Sequence, residues 1–467
     1  MSPPPSSSLS ERMLRQLGST EGDVDTLRVL VRDQDTRRLL LLRVLLDAAE
    51  AAPATICPPR ALDRLHQDWA LLEASERADR AAVRTVLLHP FTGPWAQRCL
   101  RGLSGNAPST GLRADLDHLS ALAAAAAIRA QVAFTARLTA HDGLLSLPTL
   151  GALRMAPGPA DIVFSEGELT VLGTDDRAPV TVHAGRDGTV CSADPRWLPV
   201  LALPAVLPGA GPVPLDDVDP YRTHGSGLRR HGLSAATHID DHERKAWAES
   251  WAGMEPLLRI GGEHRLTEAA VLLRCLVPLG PPPGSGPLGN GVAHCSGTRR
   301  EAFGAVLSSK PDTPAYFAST LVHELQHTKL AALGSLVPLH HEDATPRHFA
   351  PWRSDPRPFD GLLQGAYSHI ALADYWQRFA LGTQRVTHRG LAWAEHARCR
   401  EQVGAVLPVL AGSAALTREG RILVDEMITL YHRLDDCPPP TGHLARAKAY
   451  VVTAKVIWQQ RNGSRRH

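Results

Sequence analysis

The segment His323-Glu324-Leu325-Gln326-His327 constrains this chain more than any other feature of its sequence. In an α-helix, residues four apart lie on the same face, so His323 and His327 can turn both imidazoles towards one cation while Glu324 lies beside them. Apolar residues flank the segment and continue its stripe, as a buried site requires. The pattern therefore predicts a metal site on a buried helix.

A third metal ligand is expected from the chain that follows this helix. We favour His369, because residues 359–379 have the periodicity of a helix and His369 lies on its apolar stripe. The alternatives within reach are His340, His341, Glu342, His348, Asp360 and Asp374. Three of these, at 340–342, follow a proline in a predicted loop, where polar side chains are usually solvated.

Two arginines lie between the two predicted helices, in the segment Pro-Trp-Arg-Ser-Asp-Pro-Arg-Pro at 351–358. Arginine is a fixed bidentate donor for carboxylates, so Arg353 and Arg357 are candidates to bind an anionic cosubstrate. The alternative is that either arginine pairs with Asp355 or Asp360 as a structural clamp.

Several short motifs carry a resemblance to a known family. They are His-Glu-Leu-Gln-His at 323–327, Pro-Trp-Arg at 351–353, Asp-Pro-Arg-Pro at 355–358 and Gly-Ala-Tyr-Ser-His at 365–369. With these motifs the chain resembles the HExxH-type peptide β-hydroxylases, iron- and 2-oxoglutarate-dependent enzymes that modify ribosomally made peptides. The likeness covers the carboxy-terminal half best, and Asp-Val-Asp-Pro-Tyr-Arg at 217–222 adds to it.

The resemblance implies that His323, His327 and His369 hold Fe(II) and leave positions for 2-oxoglutarate and O2. Iron oxygenases more often use two histidines and one carboxylate, and Asp360 or Asp374 would then replace the third histidine.

The same resemblance implies that Arg353 or Arg357 binds the distal carboxylate of 2-oxoglutarate. Glu324 would then orient a bound water or a histidine without binding the metal itself. The expected product is a β-hydroxylated side chain of a precursor peptide.

Two other functions are compatible with the sequence. In a zinc metallopeptidase, Glu324 would be the general base that activates a zinc-bound water. The extended metzincin motif is excluded, since Leu330 and Leu333 occupy the positions of its glycine and third histidine. The apolar run 302–307 would be an edge strand that holds an extended peptide. A catalytically silent peptide-binding protein would keep the fold and tolerate loss of the histidines.

The predicted fold class is α+β and mainly α, in three regions. Residues 1–160 form a helical amino-terminal region, with helices over 27–51, 61–78 and 112–139. Residues 161–290 hold a small antiparallel β element, with strands near 162–164, 169–172 and 180–183, and a helix over 240–252. Residues 291–467 form a zincin-like HExxH catalytic region, and the proline- and glycine-rich segment 279–287 before it is an expected loop.

Charge and apolar runs limit the partners. With 50 basic and 48 acidic residues, no strong field favours nucleic acid. Apolar runs are far shorter than the roughly 20 residues of a membrane span, so no membrane is expected. The seven cysteines form no CxxC pair, and the amino terminus lacks a secretory signal, so a cytoplasmic location is expected.

Overall fold

The structure is a computed structural model that describes residues 9–105, 111–173, 178–186, 188–223, 233–282 and 294–462. Helices account for 56% of the structure and strands for 15%, which confirms a mainly α fold of the α+β class. The carboxy-terminal half of the predicted loop, residues 283–287, lies outside the described residues.

The amino-terminal region is helical up to Arg129. It comprises α1 (Glu11–Gly18), α2 (Val24–Ala51), α3 (Pro59–Ala78), α4 (Arg80–Leu87), α5 (Thr92–Leu103) and α6 (Leu112–Arg129). The side chain of Asp23 caps α2 by accepting a hydrogen bond from the Thr26 amide. The helix predicted over 112–139 was too long, because α6 ends at Arg129 and an alternating segment, buried on one face, follows as a strand.

Strands begin earlier than the predicted boundary at residue 161. One antiparallel sheet has the order β1 (Phe134–Ala140), β4 (Gly158–Ser165), β5 (Glu168–Gly173), β6 (Val180–Ala184) and β7 (Val190–Cys191). A smaller sheet pairs β2 (Leu144–Leu147), β3 (Gly151–Arg154) and β8 (Trp197–Pro199). The predicted antiparallel runs are confirmed, with Ile162 opposite Val171 and Leu169 opposite Val182.

A mixed sheet precedes the segment that contains His323 and His327. Its strand order is β12 (Ser296–Thr298), β13 (Ala305–Ser309), β11 (Cys275–Leu279), β10 (Val213–Leu215) and β9 (Leu201–Leu203). The central strands β10, β11 and β13 run parallel, and both outer strands are antiparallel to their neighbours. The run 302–307 therefore enters an internal strand, β13, whereas β12 is the outer strand among the described residues.

This mixed sheet separates two hydrophobic cores. Along β13, Val306 packs with the carboxy-terminal helices, whereas Ala305 and Leu307 pack with the amino-terminal helices and the antiparallel sheets. On β11, Leu276 belongs to the same core as Val306, and Val277 belongs to the same core as Leu307. Successive side chains of a strand point to opposite faces, so both faces of this sheet are covered.

Helices cover the carboxy-terminal side of the sheet. Asp240 caps α7 (Asp241–Ile260) in a capping box with Glu243, as a helix predicted from residue 240 requires, and α8 (Glu263–Leu272) follows. The remaining helices are α9 (Pro314–Leu336), α10 (Phe359–Gly382), α11 (Val386–Gly404), α12 (Leu407–Ala411), α13 (Arg418–Arg433) and α14 (Thr441–Asn462). None of the described helices is long and apolar enough to cross a membrane.

A buried charge network fixes the start of the chain to the back of α9. Lys329, fully buried, donates from Nζ to the carbonyl of Thr20 at 2.9 Å and forms an ion pair with Glu268. Arg265, also buried, donates to the carbonyl of Thr20 at 2.8 Å and to Glu268 at 3.0 Å. The helix that carries the predicted metal ligands is therefore held to α8, and to the turn between α1 and α2, by buried polar contacts.

Candidate metal centre

His323 and His327 both lie on α9, one turn apart. Thr313 begins this helix by accepting a hydrogen bond from the Tyr316 amide. The two Nε2 atoms lie 3.2 Å apart, with ring centroids separated by 4.7 Å and ring planes nearly perpendicular at 86°. The predicted chelating pair is therefore directed at one point in space.

His369 approaches the same point from α10, the neighbouring helix. Its side chain is 9% exposed, and its ring centroid lies 5.4 Å from that of His323. Nδ1 of His369 lies 2.8 Å from the carbonyl oxygen of Gly365. A carbonyl only accepts, so Nδ1 must donate its proton and the neutral ring keeps its lone pair on Nε2.

The second nitrogen of His327 is also occupied. Its Nδ1 lies 3.2 Å from Oε1 of Gln364, which suits donation to that oxygen and a lone pair on Nε2. Among the described residues, Nδ1 of His323 is buried without a hydrogen-bond partner. Two facing Nε2 lone pairs 3.2 Å apart repel each other unless a proton or a cation lies between them. A proton on His323 satisfies this pair, and a metal ion satisfies all three rings.

Burial keeps the three imidazoles neutral, which is the form that binds metals. Burial lowers the pKa of His369 to about 3, although the Gly365 carbonyl opposes this shift. Burial also lowers the pKa of His323, and the neighbouring His327 and His369 lower it further. Burial likewise lowers the pKa of His327.

The ligand atoms of His323, His327 and His369 do not all lie within 4.8 Å of one another. In the described part of the chain, the three side chains that meet this criterion are His89, Asp216 and Cys275. Metal–nitrogen bonds of about 2.1 Å place two ligands at most about 4.2 Å apart. The three histidines must therefore move closer together before one ion can bind all of them.

The acidic alternative ligands are paired with other side chains. Asp374 is buried but pairs with Arg265 and Arg378, at 3.4 and 3.0 Å. Asp360 is half-exposed, bonds to Arg300 and lies 3.7 Å from Nε2 of His340. The remaining candidates, His341, Glu342 and His348, lie in the segment between α9 and α10, where Glu342 pairs with Arg347 and the His348 backbone bridges to Arg357.

Glu324 is buried between α9 and the outer strand β12. Ser296 donates to its Oε1 at 2.7 Å, whereas Oε2 is buried without a partner among the described residues. Burial raises the pKa of Glu324 to about 7, and hydrogen bonds from Ser296 and Thr298 hold it from rising further. A carboxyl group of this kind can exchange a proton near neutral pH.

Arg353 and Arg357 share one carboxylate. Nε of Arg353 lies 3.2 Å from Oδ1 of Asp355, and Nη1 of Arg357 lies 3.4 Å from Oδ2. This pairing matches the alternative in which the two arginines form a structural clamp with Asp355. Burial is the main cause of the lowered pKa of His327; Gln364 and Asp360 oppose this shift, and the charge of Arg357 adds to it.

Two residues at this site were missed by the sequence analysis. Trp352 stacks on His369, with centroids 4.5 Å apart and an interplanar angle of 20°. Arg398 on α11 lies close enough that its charge lowers the pKa of both His323 and His369. The Arg398 side chain is 45% exposed and bonds to Glu395. The Pro-Trp-Arg motif was a signal for Trp352, whereas nothing in the sequence near residue 398 indicated a site.

Comparison with known proteins identifies no relative. No known protein family matches the chain, and no curated protein is significantly similar to it. The residues themselves are thus the basis for any assignment of function.

Proposed function

We propose that the chain is an Fe(II)- and 2-oxoglutarate-dependent hydroxylase that adds a β-hydroxyl to a side chain of a ribosomally made peptide. The observation that carries the proposal is the proximity of three buried imidazoles from two adjoining helices: the Nε2 atoms of His323 and His327 lie 3.2 Å apart, and the ring centroids of His323 and His369 lie 5.4 Å apart. The Nδ1 contacts of His327 and His369 leave both Nε2 atoms available, and neutral imidazole suits iron as well as zinc.

The donor set fits a metal with open positions. Three imidazoles would leave up to three sites of an octahedral ion free, as an oxygenase requires. The bound iron would supply the oxidising chemistry, in which O2 and 2-oxoglutarate are converted to succinate and CO2 while one oxygen atom replaces a substrate hydrogen as a hydroxyl. The resemblance in the motifs at 323–327, 351–358 and 365–369 supports the same assignment.

Arginines beside the histidines support an anionic cosubstrate. After burial, the charge of Arg357 contributes to the lowered pKa of His327, and the charge of Arg398 contributes to the lowered pKa of His323 and of His369. Arg398 is half-exposed and has one carboxylate partner, Glu395, whereas Arg353 and Arg357 share Asp355. We therefore place the distal carboxylate of 2-oxoglutarate at Arg398 or Arg357, ahead of Arg353.

The second candidate function is a zinc metallopeptidase, which the environment of Glu324 favours. Its pKa of about 7 and its orphan Oε2 suit a general base. It also contacts β12, an outer strand on which an extended peptide could add main-chain hydrogen bonds. Under the hydroxylase proposal, the same carboxyl group orients a bound water or histidine.

The decisive experiment reconstitutes the protein with Fe(II) without air, then adds 2-oxoglutarate and air and measures succinate and the mass of a candidate peptide. We expect succinate and a gain of one oxygen, about 16 mass units, that need all three components. Changing His323 and His327 to Ala should abolish both, whereas His341→Ala, a nearby exposed histidine, should not. Succinate formation that survives loss of both histidines would overturn the proposal.

Glu324→Gln separates the two candidates. A peptidase would cleave peptides with zinc and lose that activity in this variant, because the base is gone. The hydroxylase would keep iron binding and iron-dependent succinate formation. A raised KM for 2-oxoglutarate in Arg398→Met, with unchanged metal affinity and with Arg353→Met as the control, would assign the carboxylate site.

A further inference from the structure

A second group of metal-ligand side chains lies away from the histidine centre, between the amino-terminal helices and the mixed sheet. His89 lies in the turn between α4 and α5, Asp216 directly follows β10, and Cys275 begins β11. One ligand atom from each lies within 4.8 Å of the other two. The exposed fractions are 5% for His89 and 0% for Asp216 and Cys275. The backbone thus gathers an imidazole, a carboxylate and a thiol in a closed space.

Two of these ligand atoms are buried and unsatisfied. Nε2 of His89 and Oδ2 of Asp216 have no hydrogen-bond partner among the described residues. They lie 3.9 Å apart, which is too far for a direct hydrogen bond. Leaving two such atoms buried and unpaired is costly, so each calls for a partner that fits between them.

The other atoms of these side chains are held in place. Oδ1 of Asp216 accepts hydrogen bonds from the amides of Val218 and Asp219, at 3.0 and 2.9 Å, which directs Oδ2 away from the backbone. Sγ of Cys275 makes a contact of 3.4 Å with the carbonyl of Leu276, a weak interaction for a thiol. The Asp216 carboxylate is thus oriented before any ligand arrives.

We propose that His89, Asp216 and Cys275 bind a divalent transition-metal ion of the zinc class, at a structural site separate from the histidine centre. A tetrahedral zinc ion separates its ligands by about 3.4 Å, given metal–ligand bonds of about 2.0–2.3 Å. The 3.9 Å gap between His89 and Asp216 needs only a small contraction.

Charge balance fits a bound cation. Guanidinium groups lie near His89: Arg38 donates to the carbonyls of Leu88 and His89, and Arg274 donates to the carbonyl of Leu88 and pairs with Asp35. A bare cation there would be repelled. With the Asp216 carboxylate and a Cys275 thiolate, however, a divalent ion forms a neutral unit, and the thiol proton is released to solvent on binding.

The three ligands come from elements that are distant in sequence, so the ion would fasten the turn after α4 to two parallel strands of the mixed sheet. All three side chains are buried, which favours a structural role over a catalytic one. This inference does not depend on the proposed hydroxylase activity.

A cobalt titration distinguishes this site from the histidine centre, because only this site contains a cysteine ligand. Full-length protein is stripped of metal and titrated with Co2+, and absorption is recorded in the near ultraviolet, where a thiolate–cobalt bond gives a charge-transfer band. We expect this band in the wild type and in the variant with His323 and His327 both changed to Ala. It should disappear in Cys275→Ala and persist in Cys399→Ala, a cysteine that is equally buried in α11.

The affinity for Zn2+ is the second measurement. His89→Gln and Asp216→Asn should each weaken Zn2+ binding at this site by more than about 100-fold, since loss of a ligand exceeds the effect of an outer contact. Asp216→Asn keeps an oxygen for the amides of Val218 and Asp219, so it should remain folded, as circular dichroism would verify. A wild type without the cobalt band, or a band that survives Cys275→Ala, would overturn the proposal.

Discussion

The indole of Trp352 stacks on the imidazole of His369, with ring centroids 4.5 Å apart and planes inclined by 20°. The Nδ1–H of His369 donates a hydrogen bond to the carbonyl oxygen of Gly365, one turn earlier on α10. A Cβ added at Gly365 would lie 2.4 Å from Cζ2 of Trp352. One glycine on α10 therefore makes room for the indole and also orients the third histidine.

Gly365→Ala should displace Trp352 and release the ring of His369. We expect the affinity for Co2+ or Fe(II) at the histidine centre to fall by about tenfold, because an outer contact that orients a ligand is lost. Metal titration would measure this change. Gly334→Ala on α9, where an added Cβ meets nothing within 4 Å, is the matched control and should bind metal like the wild type.

The side chain of Gln364 should strengthen metal binding through its hydrogen bond with His327. Gln364→Leu removes the acceptor 3.2 Å from Nδ1 of His327 and should weaken metal binding by about 10- to 100-fold. Gln364→Glu keeps an acceptor and should bind metal at least as tightly as the wild type. Equal affinity for the Leu and Glu variants, measured by the same titration, would contradict the assigned role.

Lys329 should be a major contributor to stability. Lys329→Met leaves the carboxylate of Glu268 buried with Arg265 as its remaining cationic partner, and we expect the free energy of unfolding to fall by about 3–5 kcal/mol. Chemical denaturation measures the change. Glu268→Gln in the same chain should restore part of the loss, whereas the exposed Lys310→Met should change stability by less than about 0.5 kcal/mol.

Acid should destabilise the protein through Glu268. Burial opposes ionisation of this carboxyl group, but Lys329 and Arg265 outweigh it and lower the pKa to about 2, from 4.5. The unfolded chain thus binds the proton more readily, so the stabilisation is complete above pH 4.5 and is lost as the pH falls towards 2. The free energy of unfolding should fall more steeply over this range in the wild type than in Glu268→Gln.

The sequence predicted the parts of this molecule that depend on local pattern. The four-residue spacing of His323 and His327, and the apolar stripe around His369, placed both helices and directed all three rings inward. The strands near 162–183 also followed from alternation. The prediction of a helix up to residue 139 was wrong, because the chain from Phe134 onwards pairs with β4 as a strand. No local sequence pattern reveals this contact.

The rest depends on contacts between distant segments. Arg398 approaches the histidines from α11, and His89, Asp216 and Cys275 meet only after three separate elements pack together. The clamp formed by Arg353, Arg357 and Asp355 was one of two arrangements that the proline-rich link allowed. Sequence spacing carries information along one element, whereas these sites are set by tertiary packing.

The mixed sheet has a consequence for how the molecule unfolds. Val306 and Leu307 are neighbours in β13, yet they belong to different hydrophobic cores. The strand therefore cannot leave one core without pulling its next side chain out of the other. Amide exchange across the amino- and carboxy-terminal halves should accordingly share one slowest opening event, and the two halves should melt as a single cooperative unit.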